Sequence, residues 1–118
     1  MNTTKVIFFG STSDSLIILK RLLTFQKTTH QIELVAVVTQ PPRPIGRKQI
    51  ITPTPTETWA KDHQISVLSF QSSPEVSFLY ADEQAVINTL ETFRADLLIS
   101  ASYGQKIPTK TITDTRLG

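Results

Sequence analysis

Apolar and polar residues follow one another along the chain in blocks that predict strands and helices in turn. Residues 5–10 (KVIFFG) are a short apolar run that ends at glycine, which is typical of a buried strand in a parallel sheet. Residues 11–14 are all suited to helix capping, and the leucines and isoleucines that follow recur at helical spacing, which predicts a helix over about 13–26. Residues 32–39 (IELVAVVT) are β-branched and almost entirely apolar, so they predict a second strand that is buried on both faces.

After residue 39 the alternation of predicted strands and helices is interrupted by a proline-rich segment and then resumes. Residues 40–55 contain five prolines and one glycine among basic and polar residues, which predicts a long, partly stiffened loop without regular structure. A short helix capped by Thr56 is expected over 56–63, and a short third strand over 65–70. A helix over about 82–93 and a fourth strand over 96–101 complete the pattern.

Strands that alternate with helices predict the α/β class. Right-handed crossovers then give a Rossmann-like parallel sheet in the order 3-2-1-4, flanked by helices, as a single domain over 1–118. The carboxyl ends of parallel strands share one edge of the sheet. The turn after the first strand, the loop from residue 40 and residues 102–107 are therefore expected to lie together.

Composition narrows the possible functions. With 39% hydrophobic and 19% charged residues, the 118-residue chain fits a folded domain, and its net charge of +2 does not by itself favour a nucleic-acid partner. The absence of cysteine excludes disulfides and thiolate metal sites, and no metal site is expected from two histidines placed at the opposite edge of the sheet. The apolar run near the N-terminus is too short for a signal peptide or a membrane span, so a cytoplasmic protein without a membrane partner is expected.

Two segments carry candidate binding chemistry. The turn GSTS at 10–13 is either an ordinary helix cap or an anion site at a helix N-terminus. The segment QPPRPIGRK at 40–48 carries Arg43, Arg47 and Lys48 between prolines that limit its freedom. It is either a solvated basic loop or a pre-ordered cationic element for phosphate and base edges.

Four motifs in order resemble one protein family. TQPPRPIGR at 39–47 is similar to a TQPDRPxGR loop, and PTP at 53–55 to a PSP or PTP signature. VIFFGS at 6–11 is similar to IFFGT, and SYGQKIP at 102–108 to AYGxxIP, which is followed here by RLG at 116–118. The chain thereby resembles the methionyl-tRNA formyltransferases over essentially its whole length, and the loop motif separates them from the glycinamide ribonucleotide formyltransferases.

The resemblance implies transfer of a formyl group from 10-formyltetrahydrofolate to the methionyl amino group of initiator tRNA. It implies that Arg47 enters the acceptor end of the tRNA, with Arg43 and Lys48 as supporting contacts. The turn after the fourth strand matches backbone that lines the folate pterin pocket. Its residues are Gly104, Gln105, Lys106 and Ile107.

The sequence also departs from that family. The family commonly has an aromatic residue near Asp14. Its catalytic Asn, His and Asp follow the RLG motif and are expected beyond Gly118, so no catalytic residue is assigned within this chain and the chain is predicted to be inactive alone.

Two other functions stay open: a free-standing Rossmann-like module that binds a nucleotide or RNA, and a segment of a sugar-nucleotide formyltransferase, which the PPRPIGR loop disfavours. The outer edge of the fourth strand, Leu97 to Ser100, also predicts self-association.

Overall fold

A computed structural model describes residues 3–46, 48–76 and 78–114 of the chain. Six strands and four helices occur in that part. In chain order they are β1 (Thr4–Phe9), α1 (Ser13–Thr29), β2 (Ile32–Val38), β3 (Arg43–Ile45), β4 (Ile50–Thr52), α2 (Pro55–Asp62), β5 (Val67–Leu68), α3 (Glu83–Glu91), β6 (Leu97–Ser100) and α4 (Thr109–Asp114). None of these helices is long and apolar enough to cross a bilayer.

The main sheet has four parallel strands in the order β5-β2-β1-β6. Its first, second, third and fourth strands in the chain are β1, β2, β5 and β6, so the predicted order 3-2-1-4 and the α/β class are confirmed. A register shift between Val6 and Ile7 of β1 leaves Val35 of β2 without a counterpart in the pairing. All four strands point the same way, and their carboxyl ends meet at one edge.

Both faces of the central strands are covered by packed side chains. Val6 and Phe8 of β1 belong to one hydrophobic cluster, together with Leu19 of α1 and Ala60 of α2. The alternate residues of β1 belong to the opposite cluster, which α3 completes; these are Ile7 and Phe9 with Val86 and Leu90. The nearly uninterrupted apolar runs of β1 and β2 are explained by this coverage on both faces.

Helix α1 begins and ends at recognisable caps. The Thr12 side chain accepts the Ser15 backbone N–H, and the Ser15 side chain accepts the Thr12 backbone N–H, which is a reciprocal capping box. The helix continues to Thr29 and ends at His30 in the left-handed region with φ of 58°. It is therefore longer than the predicted 13–26, because no proline or glycine interrupts residues 27–29.

The prediction that residues 40–55 lack regular structure is wrong. Strands β3 and β4 form a separate antiparallel hairpin, in which Arg43 pairs with Thr52 and Ile45 with Ile50. Proline lacks an N–H but is accepted in edge strands, and each strand of a two-stranded sheet is an edge. Gly46 turns the chain with φ of 75°, and its carbonyl accepts the Gln49 N–H at 3.2 Å.

Other boundaries differ from the prediction in smaller ways. The N-cap of α2 is Thr54, not Thr56, because Thr54 accepts the Glu57 N–H and Pro55 occupies the first helical position. Strand β5 is only two residues long, whereas 65–70 was predicted. The last helix, α4, was not predicted.

Candidate functional site

Three segments that are distant in sequence meet at the carboxyl ends of the strands, and Ser11 joins them. Its Oγ donates to the Tyr103 carbonyl at 2.8 Å and accepts the Gln40 backbone N–H at 3.0 Å. Its own N–H donates to the Ser102 carbonyl at 3.2 Å. The turn after β1, the base of the hairpin and the turn after β6 thus lie together, as the sequence predicted.

Two glycines allow these segments to approach so closely. A Cβ on Gly10 would lie 2.6 Å from Phe8 Cε2 and 2.8 Å from the Ala101 carbonyl oxygen, closer than real Cβ contacts permit. Gly104 has φ of 97°, and the Gln40 side chain occupies the space that its Cβ would need. The amide of Gln40 therefore lies directly against the turn after β6.

The turn after β6 is hydrogen-bonded to the segment that follows β5, the outermost strand on the other side of the sheet. Gln105 is 7% exposed, and its Nε2 donates to the Phe70 carbonyl at 3.1 Å and to Ser72 Oγ at 2.8 Å. The Lys106 N–H donates to the Phe78 carbonyl at 2.7 Å. Because residues 70–72 follow β5, the outer strand on the far side, the turn crosses the carboxyl ends of β1 and β2.

The four residues of the predicted folate turn have different environments. Gly104 and Lys106 are exposed, whereas Gln105 is buried and Ile107 is half-buried against the core cluster that contains Phe9. No donor among the described residues reaches the buried Gln105 Oε1. The exposed surface of the turn thus consists of the Gly104 backbone and the Lys106 side chain and carbonyl.

A pair of buried tyrosines supports the turn from below. The hydroxyls of Tyr80 and Tyr103 lie 3.0 Å apart, and the Tyr103 ring packs edge-on against Phe9 with centroids 5.3 Å apart. Burial raises the pKa of both phenols above the usual value, and the hydrogen bond with Tyr80 raises the pKa of Tyr103 further. Both groups stay protonated near neutral pH, so they act as hydrogen-bonding supports and not as acids or bases.

Two of the three predicted cationic residues lie in the described part of the hairpin. Arg43 opens β3, Lys48 is exposed in the turn between the strands, and Arg47 lies outside the described residues. The segment 40–54 contains these three cations and no acidic residue. Ile50 and Ile51 of β4 are 61% and 64% exposed, so the hairpin also presents apolar surface.

The turn at 10–13 is a capped helix start. The Ser11 N–H is bonded to the Ser102 carbonyl, and the Thr12 and Ser15 amides are bonded within the capping box. These amides are therefore engaged and do not favour the anion-site alternative.

The histidines lie at the other edge, as predicted. His30 caps α1, and His63 follows α2, where its ring stacks on Trp59 with centroids 4.1 Å apart. No group of three potential metal ligands occurs within 3–46, 48–76 and 78–114.

Sequence reasoning missed several residues that build the site. The side chains of Ser11 and Gln105 make contacts 92 and 33 to 35 residues away along the chain, which no local pattern indicates. The hydroxyls of Thr39, Thr54 and Thr56 form a cluster beneath the hairpin. The alternation of threonine and proline at 52–56 was the one available signal for that cluster.

Comparison with known proteins gives consistent matches. A family model described as formyl transferase matches residues 4–118. A methionyl-tRNA formyltransferase of Halalkalibacterium halodurans is 38% identical over 104 residues, which cover 88% of this chain and 29% of that protein. Proteins of the same name from Bacillus cereus and Staphylococcus epidermidis are 35% and 36% identical over 114 residues, 97% of this chain and 32% of each. The chain thus spans about a third of the length of the curated relatives it matches.

Proposed function

The chain belongs to the formyl transferase family, and we propose that it is a segment of a methionyl-tRNA formyltransferase. The whole enzyme would transfer a formyl group from 10-formyltetrahydrofolate to the methionyl amino group of initiator tRNA, in the cytoplasm. Loss of this activity from the isolated 118 residues stays a prediction.

The observation that carries this proposal is the hairpin, which bears the TQPPRPIGR motif. It holds three cations without a compensating acid, and it forms its own two-stranded sheet. Arg47, Arg43 and Lys48 are proposed to contact the acceptor end of the tRNA, with Arg47 reading a base edge or phosphate through its planar guanidinium. A hairpin that is already ordered loses less entropy on docking than a flexible loop.

The turn of Gly104, Gln105, Lys106 and Ile107 is proposed to line the folate pterin pocket. Gly104 is exposed, so a flat heterocycle can approach its backbone on the side that the Gln40 side chain does not cover. The buried Gln105 amide, whose Oε1 has no described donor, holds the turn in place. The Lys106 N–H is already bonded to Phe78, so Lys106 can offer only its carbonyl and side chain. These features would allow a folate ring to bind against the exposed face of Gly104.

Replacing Lys48 with glutamine tests the phosphate contacts. Lys48 is exposed, so the fold should not change, and binding of initiator tRNA should weaken. The slope of log affinity against log salt concentration should fall in magnitude by about 0.7–0.9, the value for one lost phosphate contact. Fluorescence titrations at several salt concentrations measure this slope.

Lys20 in α1 provides the matched control, because it is also exposed but lies outside the hairpin. Lys20→Gln should leave the slope unchanged. Equal slopes of log affinity against log salt concentration for the parent chain and Lys48→Gln would show that Lys48 does not contact the tRNA. Equal affinity for a nucleotide sugar and for tRNA would favour the sugar-nucleotide alternative.

The outer edge of β6 is proposed to mediate self-association. Strand β6 pairs with β1, and within the described residues no strand lies on its other side. Leu97, Leu98 and Ile99 are only half-buried there. At high concentration, light scattering should give a mass approaching twice 13.2 kDa.

Ser100 at the end of β6 is exposed and offers a test of this edge. Ser100→Lys should restore the monomer, because a charged side chain at a strand edge opposes pairing with another strand. A parent chain that stays at 13.2 kDa over the whole concentration range would contradict the proposal.

A further inference from the structure

Three threonine hydroxyls form a connected cluster at the two ends of the hairpin segment. The hairpin segment is residues 40–53; Thr39 precedes it, and Thr54 and Thr56 follow it. The Oγ1 atoms of Thr39 and Thr54 lie 2.5 Å apart, and that of Thr56 lies 3.1 Å from Thr39 Oγ1 and 3.2 Å from Thr54 Oγ1. Thr56 Oγ1 also donates to the Gly10 carbonyl at 2.8 Å.

The hydroxyls of this cluster are linked to one another and to the backbone on both sides. Each threonine has one hydroxyl proton, and the shorter of the two contacts in which Thr56 Oγ1 donates is the one to the Gly10 carbonyl. Thr56 Oγ1 is also the donor in the 3.1 Å contact with Thr39 Oγ1, and either hydroxyl can donate in the contact between Thr39 and Thr54. The Glu57 backbone N–H donates to Thr54 Oγ1 at 3.2 Å. A continuous chain of hydrogen bonds therefore runs from the start of α2 to the carboxyl end of β1.

The environment makes this chain of hydrogen bonds costly to break. Thr39 and Thr56 are fully buried, so water cannot replace a lost partner without entering the core. Hydrogen bonds in such a chain also strengthen one another in a low-dielectric interior. The two ends of the hairpin segment are therefore held against Gly10 by buried contacts.

The hairpin depends on these end contacts for its orientation. Its strands pair with each other in a sheet of their own, and not with the main sheet. At its first residue, Gln40 adds a backbone bond to Ser11 and a side-chain contact with Gly104. At its other end, the described attachment to β1 runs through the threonine hydroxyls.

We infer that the hydroxyl chain of Thr39, Thr54 and Thr56 is a positioning element that fixes the direction of the hairpin relative to the sheet before any partner binds. The described side-chain contacts of the three threonines are with one another and with backbone groups, so we assign them an effect on binding only through the position of the hairpin. What the hairpin binds rests on the proposed function, whereas the positioning does not.

The distance between two spin labels reports the hairpin's orientation without any ligand. The chain has no cysteine, so Lys48→Cys in the hairpin turn and Lys20→Cys in α1 can be labelled at exposed sites. The parent chain should give one narrow distance distribution in a pulsed electron paramagnetic resonance measurement. Thr56→Val keeps the side-chain volume but removes the donor to Gly10, and it should broaden the distribution or split it into several distances.

The controls separate positioning from general stability. Thr56→Ser keeps the hydroxyl and should restore the narrow distribution. Val86→Ala destabilises the opposite core cluster without touching the hydroxyl chain, and it should leave the distribution narrow. Thr39→Val breaks the chain at its centre and should broaden the distribution as Thr56→Val does.

Two results would overturn the inference. One is a narrow, unshifted distribution in both valine variants with helix content retained. The other is loss of folding in both, because the cluster would then be required for the whole fold and not for the hairpin. Failure of the proposed function would be seen in a different experiment. Binding of tRNA would then be insensitive to replacement of the hairpin cations, while the distances between the spin labels would stay as predicted.

Discussion

Gly10→Ala is expected to lower the free energy of unfolding by about 3 kcal/mol, the upper end of the usual cost of overpacking a core. The added methyl group would lie 2.6 Å from Phe8 Cε2, 2.7 Å from Ser15 Cβ and 2.8 Å from the Ala101 carbonyl oxygen. Phe8 and Ser15 are fully buried, and Ala101 O is backbone, so none of these atoms can simply rotate away. To make room, α1 must move away from β6, which weakens the bond from Ser15 Oγ to the Ala101 carbonyl.

Urea denaturation of the parent chain and the variant measures this loss. Gly46→Ala is the matched control, because a Cβ on Gly46 has no neighbour within 4 Å and the substitution costs only the strain of φ at 75°. That strain is worth about 1 kcal/mol. Equal losses for the two variants would contradict the close packing assigned to Gly10.

The sequence alone predicted the parallel sheet and its crossover helices, because its strongest signals are local and periodic. The apolar runs of β1 and β2 need coverage on both faces, and that requirement leads to a parallel sheet with crossover helices. The cap at Thr12 lies among the four capping residues identified, and Asp82, where the predicted helix over 82–93 starts, is the N-cap of α3. The three segments of the site were predicted to meet because each follows the end of a strand.

The parts that were missed depend on long-range contacts or on competing local signals. The prolines in 40–55 led to the prediction of an irregular loop and not of a hairpin. Pro44 is nevertheless accommodated, because it lies in an edge strand. Thr54 replaces Thr56 as the helix cap because Pro55 suits the first helical position. Gln105 is polar by type yet buried, and only its contacts with Phe70 and Ser72 explain that burial.

Arg47→Ala is expected to weaken binding of initiator tRNA more than any other single change in the hairpin. An arginine that makes a bidentate contact with a base edge contributes about 1–3 kcal/mol, so its loss should reduce affinity by roughly fivefold to a hundredfold. Lys48 is a point charge that contacts phosphate without fixed geometry, and its replacement should cost less. Arg21→Ala removes the same charge from an exposed site on α1 and should have little effect.

Titration of labelled initiator tRNA into the parent chain, Arg47→Ala and Arg21→Ala at two salt concentrations tests the central claim most directly. The proposed function predicts salt-sensitive binding by the parent chain and by Arg21→Ala, and binding by Arg47→Ala that is weaker by roughly fivefold to a hundredfold. Absence of binding by the parent chain, or equal binding by all three proteins, would contradict a tRNA-recognition hairpin in this segment.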